Sequence, residues 1–488
     1  MLKRKEILVV LLLSMGAILL HGYHPWAEDA EIYLPGVLRI LHPQLFPHDR
    51  PFFESHAHLT LFPNLIAAFL RISHLPLEWV LLLGHFACVF LFLWACWKLS
   101  GICFRDSHAR WAGVGLVAAL LTIPVAGTAL YLMDQYLNPR NIAAFAAIFA
   151  VGAVMEHRYL RACLWLIFAA CVHPLMAVFA CSYCVLLPLM RLMDVRMKQA
   201  AAFAGMVLGI PFIGEFQAPS AAYRAAAAFH SFHYITRWAW YEVVGAIAPA
   251  LIFWIFARMA RHRRMPALEI MCRAMLVYDL VYFIAAVILA VPARFESLAR
   301  IQPLRSLHLL YVLLFLIGGG FIGEFLLKAR AWRWALFFVP ICAGMYAAQA
   351  QLYSHSDHIE LPGLRVTNDY EQAFVWASQH TPLDAYFALD PQFLHSPGED
   401  SQGFRALAQR SRLADDYKDS GAVSMFPDLA EQWYAQTEAI KDWSHFGRTD
   451  FERLRYRSGV NWVVVQNSQP AGLRCPYQNR TVSVCEVQ

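Results

Sequence analysis

Long apolar runs separated by short polar stretches dominate the first 350 residues of the chain. Most of these runs are about 16 to 24 residues long, which is the length that crosses a bilayer as a helix. They predict eleven membrane spans, at residues 5–22, 76–98, 111–131, 140–155, 160–172, 174–190, 199–216, 241–258, 269–291, 305–326 and 332–350. The pattern therefore predicts a polytopic α-helical membrane protein.

The segment 58–71 departs from this pattern. Its apolar core, residues 59–70, is about 12 residues long and contains Pro63 and Asn64. Such a segment is too short and too broken to cross a bilayer, so we expect it to lie along the outer interface.

After residue 353 the long apolar runs give way to the shorter patterns of an α/β domain. Helical spacing predicts helices from Asn368 to His380, from Asp428 to Trp443 and from Asp450 to Arg457, the last one stopped by Gly459. Short apolar runs predict strands at residues 385–389 and 462–465. We therefore divide the chain into a transmembrane domain, residues 1–353 with a first outer loop at 23–75, and a small C-terminal α/β domain, residues 354–488.

Composition and charge support this division. Hydrophobic residues make up 59% of the chain and charged residues only 15%, whereas about 25% of a soluble protein is charged. Residues 354–488 hold 12 Lys and Arg against 18 Asp and Glu, while residues 1–353 hold 28 against 17. The net charge of +5 thus combines a basic membrane part with an acidic tail.

The basic residues also predict the orientation, because Lys and Arg are retained on the cytoplasmic side. With the N-terminus inside, the cytoplasmic segments hold 19 of them and the outer segments nine. An odd number of spans then predicts that the tail lies on the outer side of the membrane, which for a bacterial inner membrane is the periplasm. In that oxidising compartment Cys475 and Cys485, ten residues apart on two predicted strands, are expected to form a hairpin disulfide, with two free buried thiols as the alternative.

Candidate chemistry concentrates in the first outer loop. Glu28, Asp29 and Glu31 stand at the start of a predicted amphipathic helix, and Asp49 follows about twenty residues later. Carboxylates placed there could bind a divalent cation or act as a general base toward a lipid-phosphate substrate. The alternative is that the acids only stabilise the N-terminus of the helix through its dipole.

This layout resembles the GT-C superfamily of membrane glycosyltransferases, which use polyprenyl-phosphate-linked sugars, and most of all bacterial GT-C-like membrane proteins of unassigned function. The similar segments are Glu28-Asp29, the proline-flanked loop 43–49, the interfacial helix 56–71, Asn138-Pro139-Arg140, and residues 172–176, 302–305, 404–411 and 458–465.

The resemblance implies an inverting transferase in which Asp29, assisted by Glu28, deprotonates or orients an acceptor hydroxyl. It further implies that substrate contacts come from a set of outward basic and polar residues, namely Arg140, Arg305, Arg237, His173, His48 and Asp49. The first loop departs from the family pattern because it has no Asp-X-Asp, so binding of Mg²⁺ or Mn²⁺ by Glu28 and Asp29 stays open.

A second class of function also stays open, a non-catalytic GT-C-like scaffold or a transporter of lipid-linked substrates. Transporters tend to contain paired repeats, and the two halves of this chain show no convincing repeat. In either class the expected partners are a polyprenyl-phosphate-linked sugar and membrane lipid, and not nucleic acid.

Overall fold

The structure, a computed structural model, describes residues 4–193, 219–290, 295, 298, 300–391, 393, 402–467 and 472–488. The described helices are Arg4–His21, Ala30–Leu41, Pro51–Ala57, Phe62–Ser73, Leu77–Cys103, Ser107–Ala119, Pro139–Met155, Tyr159–Val172, Pro174–Met193, Ala221–Ala228, Trp240–His262, Pro266–Ala290, Leu307–Ile322, Ala331–Leu352, Asp369–His380, Phe404–Ala408, Asp419–Met425, Ala430–Ala439 and Arg448–Ser458.

Six helices among the described residues are long and apolar enough to cross a membrane. They are Leu77–Cys103, Pro174–Leu192, Trp240–His262, Pro266–Ala290, Pro303–Leu327 and Ala331–Leu352. Two further predicted spans are shorter apolar helices, Pro139–Met155 and Tyr159–Val172. The predicted span 199–216 lies outside the described residues. The chain is thus a helical multi-pass membrane protein by length and hydropathy, and the total of eleven spans stays a prediction.

The predicted span 111–131 is wrong as a continuous helix. The helix Ser107–Ala119 ends inside this range, and the chain then turns back on itself. The Val125 amide donates to Leu130 O at 2.8 Å, and the Met133 amide donates to Leu121 O at 2.8 Å. Pro124 lies in this turn and pairs with Tyr131. Since proline donates no backbone hydrogen bond and clashes with the preceding helical turn, the helix cannot continue through it.

The chain forms two compact units, and the first comprises the described residues of 1–21, 84–219 and 231–347. Within it the helices Ser107–Ala119 and Leu307–Ile322 pack closely because small residues face each other. A Cβ added at Gly319 would lie 2.8 Å from Ala112 O, and one at Gly323 would lie 2.6 Å from His108 O. The Gly319-xxx-Gly323 spacing therefore allows an approach that larger side chains would block, as is typical of helix pairs in membranes.

The second unit comprises residues 22–83 and 220–230 together with the described part of 348–488. It contains a five-stranded sheet built from the described strands β1 (Tyr386–Leu389), β2 (Ser411–Arg412), β3 (Trp462–Gln466), β4 (Arg474–Gln478) and β5 (Val482–Glu486). The order is β2-β1-β3-β5-β4, with β2, β1 and β3 parallel and β5 antiparallel to both β3 and β4.

Both faces of this sheet are covered, which explains why β1 is apolar throughout and why β3 is apolar up to Val465. Phe387 and Val464 point to a core that includes Phe374 of the helix Asp369–His380. Ala388 and Val463 point to the opposite core, which includes Phe451 of the helix Arg448–Ser458. Alternation of apolar residues toward two cores is the period-two pattern of a sheet inside an α/β layer structure.

Local signals in the tail correctly located most of its elements. The Asn368 side chain accepts from the Glu371 amide at 3.0 Å and caps the helix that follows, and Gly459 ends the helix Arg448–Ser458 with φ of +78°. Cys475 and Cys485 are joined in a disulfide between β4 and β5. The sequence pattern did not indicate β2 or the short helices Phe404–Ala408 and Asp419–Met425.

The segment 56–71, predicted as one interfacial helix, belongs to two helices. Pro51–Ala57 ends before Thr60, whose hydroxyl accepts from the Phe62 amide at 3.1 Å, and Phe62–Ser73 begins with Pro63 in its first turn. Proline suits a helix start and opposes a helix interior. The break therefore follows from Pro63.

Candidate active site

Glu28 and Asp29 stand directly before the helix Ala30–Leu41 in the second unit. Asp29 is the residue at the N-terminal cap, but its side chain makes no capping hydrogen bond. Glu28 has φ of +57°, a left-handed backbone conformation that is rare for residues other than glycine. Strained conformations of this kind persist where the surrounding structure holds them, and they cluster at functional sites.

Lys418 is the partner of both carboxylates. Its ammonium donates to Glu28 Oε2 in a short contact and to Asp29 Oδ1 at 3.2 Å. The lysine side chain is only 11% exposed, whereas the carboxylates are 32% and 26% exposed. Burial lowers the pKa of Lys418, but the attraction of Glu28 and then of Asp29 outweighs it, so the pKa is raised and the lysine is charged.

The backbone that carries Lys418 is held by one aspartate. Asp415 Oδ1 accepts from the Tyr417 amide at 2.8 Å and from the Asp419 amide at 3.0 Å, and also from the amide of Lys418 itself. These amides lie just before and at the start of the helix Asp419–Met425, so Asp415 satisfies donors that would otherwise lack a helical partner. The lysine therefore projects from a fixed turn.

Glu31, the third acid of the first loop, lies in a buried charge cluster rather than beside Lys418. Its Oε1 accepts from Arg412 Nε at 2.7 Å and from Arg405 Nη1 at 3.2 Å, and its Oε2 accepts from the Arg405 amide at 2.7 Å. Arg405 also binds Asp419 through two nitrogens, each at 2.9 Å, and Arg412 binds Asp415 in a short contact.

This cluster, Glu31, Arg405, Arg412, Asp415 and Asp419, holds three carboxylates against two guanidinium groups. Burial raises the pKa of Glu31, and Arg412 and Arg405 lower it only in part, so that it stays above its ordinary value. Because all five groups are desolvated, each depends on its partners. The cluster joins the first loop to the tail inside the second unit and presents no exposed carboxylate.

Asp49 and His48 lie at the sheet edge near β1 and β2. The Asp49 carboxylate accepts from Tyr386 Oη in a short contact, from Gln432 Nε2 at 2.7 Å and from Gln436 Nε2 at 2.8 Å. Burial, followed by the charge of Asp49, raises the pKa of Tyr386. The His48 ring stacks on Tyr386 with centroids 4.6 Å apart. Asp49 is thus oriented by three neutral donors.

Arg140, in the first unit, is bound within its own loop. It donates to Asp134 Oδ2 from Nε at 3.0 Å and from Nη2 at 2.7 Å, and Asn138 Nδ2 donates to the same oxygen at 2.7 Å. Asn138 Oδ1 also accepts from the Asn141 amide at 2.9 Å and caps the helix Pro139–Met155. The Asn-Pro-Arg segment therefore supports this helix start, and a lipid-phosphate contact by Arg140 stays a prediction.

The other predicted contacts of the first unit have separate surroundings. Arg305 lines a small cavity whose other walls are almost entirely apolar, and its guanidinium lies 5.6 Å from the Phe232 ring centroid. Arg237 is exposed and stacks over Tyr234, 4.7 Å from its centroid. The His173 Nδ1 accepts from the Met176 amide at 3.4 Å, at the start of the next helix. Their substrate roles stay predictions.

The donor set around Glu28 and Asp29 does not match a metal site as placed. Nowhere in the described ranges do three or more His, Cys, Asp or Glu side chains gather as ligands for a metal ion. Divalent cations in proteins take several oxygen ligands at short distances. Here an ammonium occupies the position between the two carboxylates.

The contact between these carboxylates and Lys418 is not predictable from the sequence pattern. Lys418 is 390 residues from Glu28, and a single lysine in a polar segment carries no local signal for that contact. Asp134, in contrast, is predictable as the partner of Arg140, because it lies only six residues before it.

No protein-family model matches the chain, and no curated protein matches it in sequence. Among solved structures, the chain is similar to the archaeal oligosaccharyltransferase AglB from Archaeoglobus fulgidus, in complex with an inhibitory peptide and a dolichol-phosphate, at 12% identity and a TM-score of 0.48. The match covers 94% of this chain and 69% of that one. A similarity of this degree assigns neither a substrate nor a catalytic residue.

Proposed function

We propose that the chain is a GT-C-type glycosyltransferase that uses a polyprenyl-phosphate-linked sugar at the periplasmic face of a bacterial inner membrane. The observation that carries the proposal is the pair of adjacent carboxylates directly after the first apolar helix. Glu28 and Asp29 are partly exposed, Asp29 makes no side-chain cap, and Glu28 adopts a strained backbone. A helix that only needed its dipole stabilised would require none of these features.

In the proposed reaction Asp29 accepts a hydrogen bond from the acceptor hydroxyl and takes its proton. The acceptor oxygen forms a bond to the anomeric carbon of the sugar, and the bond from that carbon to the phosphate oxygen breaks. Polyprenyl phosphate leaves with the electron pair. The barrier falls through orientation of the acceptor and stabilisation of charge on the leaving group.

The other predicted site residues would have the following roles. Glu28 shares Lys418 with Asp29 and would keep the turn in place. The oriented carboxylate of Asp49 suits a hydrogen bond to a sugar hydroxyl. Arg305 keeps the predicted role of a phosphate contact, because a guanidinium can pair with a phosphate through two nitrogens.

The test compares Asp29→Asn with Asp442→Asn, a matched change of an exposed aspartate in the same unit. Full-length variants in nanodiscs are incubated with a panel of undecaprenyl-phosphate-linked hexoses and a cell-envelope extract that supplies acceptor hydroxyls, and released undecaprenyl phosphate is measured. The glycans of cells carrying each variant are profiled by mass spectrometry. We expect the rate of undecaprenyl phosphate release to fall at least about 100-fold in Asp29→Asn, because the acid–base group is missing. The rate in Asp442→Asn should match that of the wild type. Folded Asp29→Asn protein with normal glycans and normal release refutes the proposal.

A second candidate is a non-catalytic scaffold or a transporter of lipid-linked substrates. One observation favours it: the ammonium of Lys418 already neutralises part of the charge on Glu28 and Asp29. Such a protein would bind the lipid-linked hexoses without consuming them. Binding that is unchanged in Asp29→Asn, together with no release by the wild type, would support this class.

A further inference from the structure

Lys418 stands where a metal ion would have to stand to bridge Glu28 and Asp29. Its Nζ contacts one oxygen of each carboxylate, and its side chain is 11% exposed. The ring of Tyr417 lies beside it, 4.9 Å from Nζ to the centroid. A lysine in this position is not a solvated surface partner; Lys441, which pairs with Glu438 at 3.2 Å, is 66% exposed.

The ammonium and a divalent cation compete for the same place. Mg²⁺ sits about 2.0 to 2.1 Å from its oxygen ligands and Ca²⁺ about 2.3 to 2.6 Å, so an ion bridging these oxygens would lie within a few ångströms of Nζ. Two positive groups at that separation repel each other strongly where water is partly excluded. The fixed turn built by Asp415 also limits how far the lysine backbone can withdraw.

We infer that Lys418 is the resident cation of the carboxylate pair, and that this site takes no divalent metal while the lysine is present. The lysine supplies one positive charge where a metal supplies two, so the site retains a net negative charge and a carboxylate oxygen able to accept a hydrogen bond. One further role rests on the proposed function: the Lys418 ammonium also donates a hydrogen bond to the departing phosphate.

Removal of the ammonium should convert the pair into a metal site. Without Lys418 the two adjacent carboxylates lose this positive charge, and a divalent cation, with water completing its coordination, can take its place. Lys418→Met keeps much of the aliphatic stem, and Lys418→Arg keeps the charge. We expect Lys418→Met to bind Mn²⁺ at least tenfold more tightly than the wild type, and Lys418→Arg to behave as the wild type.

The experiment titrates Mn²⁺ into full-length protein in phosphatidylcholine nanodiscs and follows free Mn²⁺ by electron paramagnetic resonance. Lys441→Met is the matched control, and Lys418→Met with Asp29→Asn should lose the gained site. The inference is overturned if the wild type binds one Mn²⁺ that Asp29→Asn loses, or if folded Lys418→Met binds no more tightly than Lys441→Met.

If Lys418→Met does not fold, the wild type and Asp29→Asn decide the matter. Equal Mn²⁺ titrations of these two proteins support the inference, and an extra ion in the wild type overturns it. The measurement needs no sugar donor and no acceptor. Its failure is therefore distinguishable from failure of the proposed transferase activity.

Discussion

Arg405 offers the sharpest test of how the second unit is held together. Its guanidinium is 1% exposed and donates one bond to Glu31 and two to Asp419, whose side chains are 3% and 1% exposed. Arg405→Met keeps the apolar volume of the stem and removes the charge. The matched control is Arg453→Met, since Arg453 pairs with Asp450 at 3.0 Å but is 60% exposed.

The magnitude follows from what the substitution leaves behind. Asp419 loses both guanidinium bonds and keeps the Asp415 amide at 3.0 Å and a more distant Arg412 at 3.8 Å. Breaking a buried ion pair on one side costs about 3 to 5 kcal/mol, because a desolvated charge loses its partner. An exposed pair contributes about 0 to 1 kcal/mol. The expected difference between the two variants is therefore at least about 2 kcal/mol.

Two measurements check this expectation in nanodiscs. The first is thermal unfolding, in which about 1 kcal/mol moves the midpoint by about 2 to 4 °C for a unit of 150 to 250 residues; Arg405→Met should thus lower it by roughly 6 to 20 °C. The second is amide hydrogen exchange of peptides covering Phe404–Ala408 and Ala30–Leu41, which should accelerate in Arg405→Met alone.

The outcome that contradicts the reasoning is a small effect at the buried position. If Arg405→Met unfolds within about 2 °C of Arg453→Met and its exchange is unchanged, the cluster contributes little to the fold. A further variant separates charge from packing. Asp419→Asn added to Arg405→Met should recover part of the loss, because the uncompensated carboxylate is then neutral.

Two other predictions concern Asp415 and Asn138. Burial raises the pKa of Asp415, but the Arg412 guanidinium holds it below 3.8, at about 2; ionised Asp415 therefore stabilises the fold above pH 3.8, and this contribution disappears as the pH falls toward 2. The decrease in the thermal unfolding midpoint caused by Asp415→Asn should therefore become smaller as the pH falls. A decrease that does not change with pH would contradict the stabilising role of ionised Asp415. Asn138→Ala should cost at least about 1 kcal/mol through the lost cap on the Asn141 amide, while Asn138→Ser should recover most of it; equal midpoints for both variants would show that the cap contributes nothing.

Elements of the fold that depend on neighbours in sequence were predictable. The apolar runs became helices because burial and backbone hydrogen bonding in lipid are satisfied within one segment. The cap at Asn368 and the stop at Gly459 act within a few residues of where they stand. The prediction of one continuous helix at residues 111–131 was wrong because it followed the length of the apolar run and not the position of Pro124.

The sequence by itself determined which segments are apolar helices, and that carboxylates follow the first helix. Only the tertiary structure decided what those carboxylates contact. Glu28 contacts a lysine 390 residues away, Glu31 contacts two arginines beyond residue 400, and Asp49 contacts a tyrosine 337 residues away. Charge pairing acts through space over a few ångströms, so residue type and local spacing say nothing about it until the chain has folded.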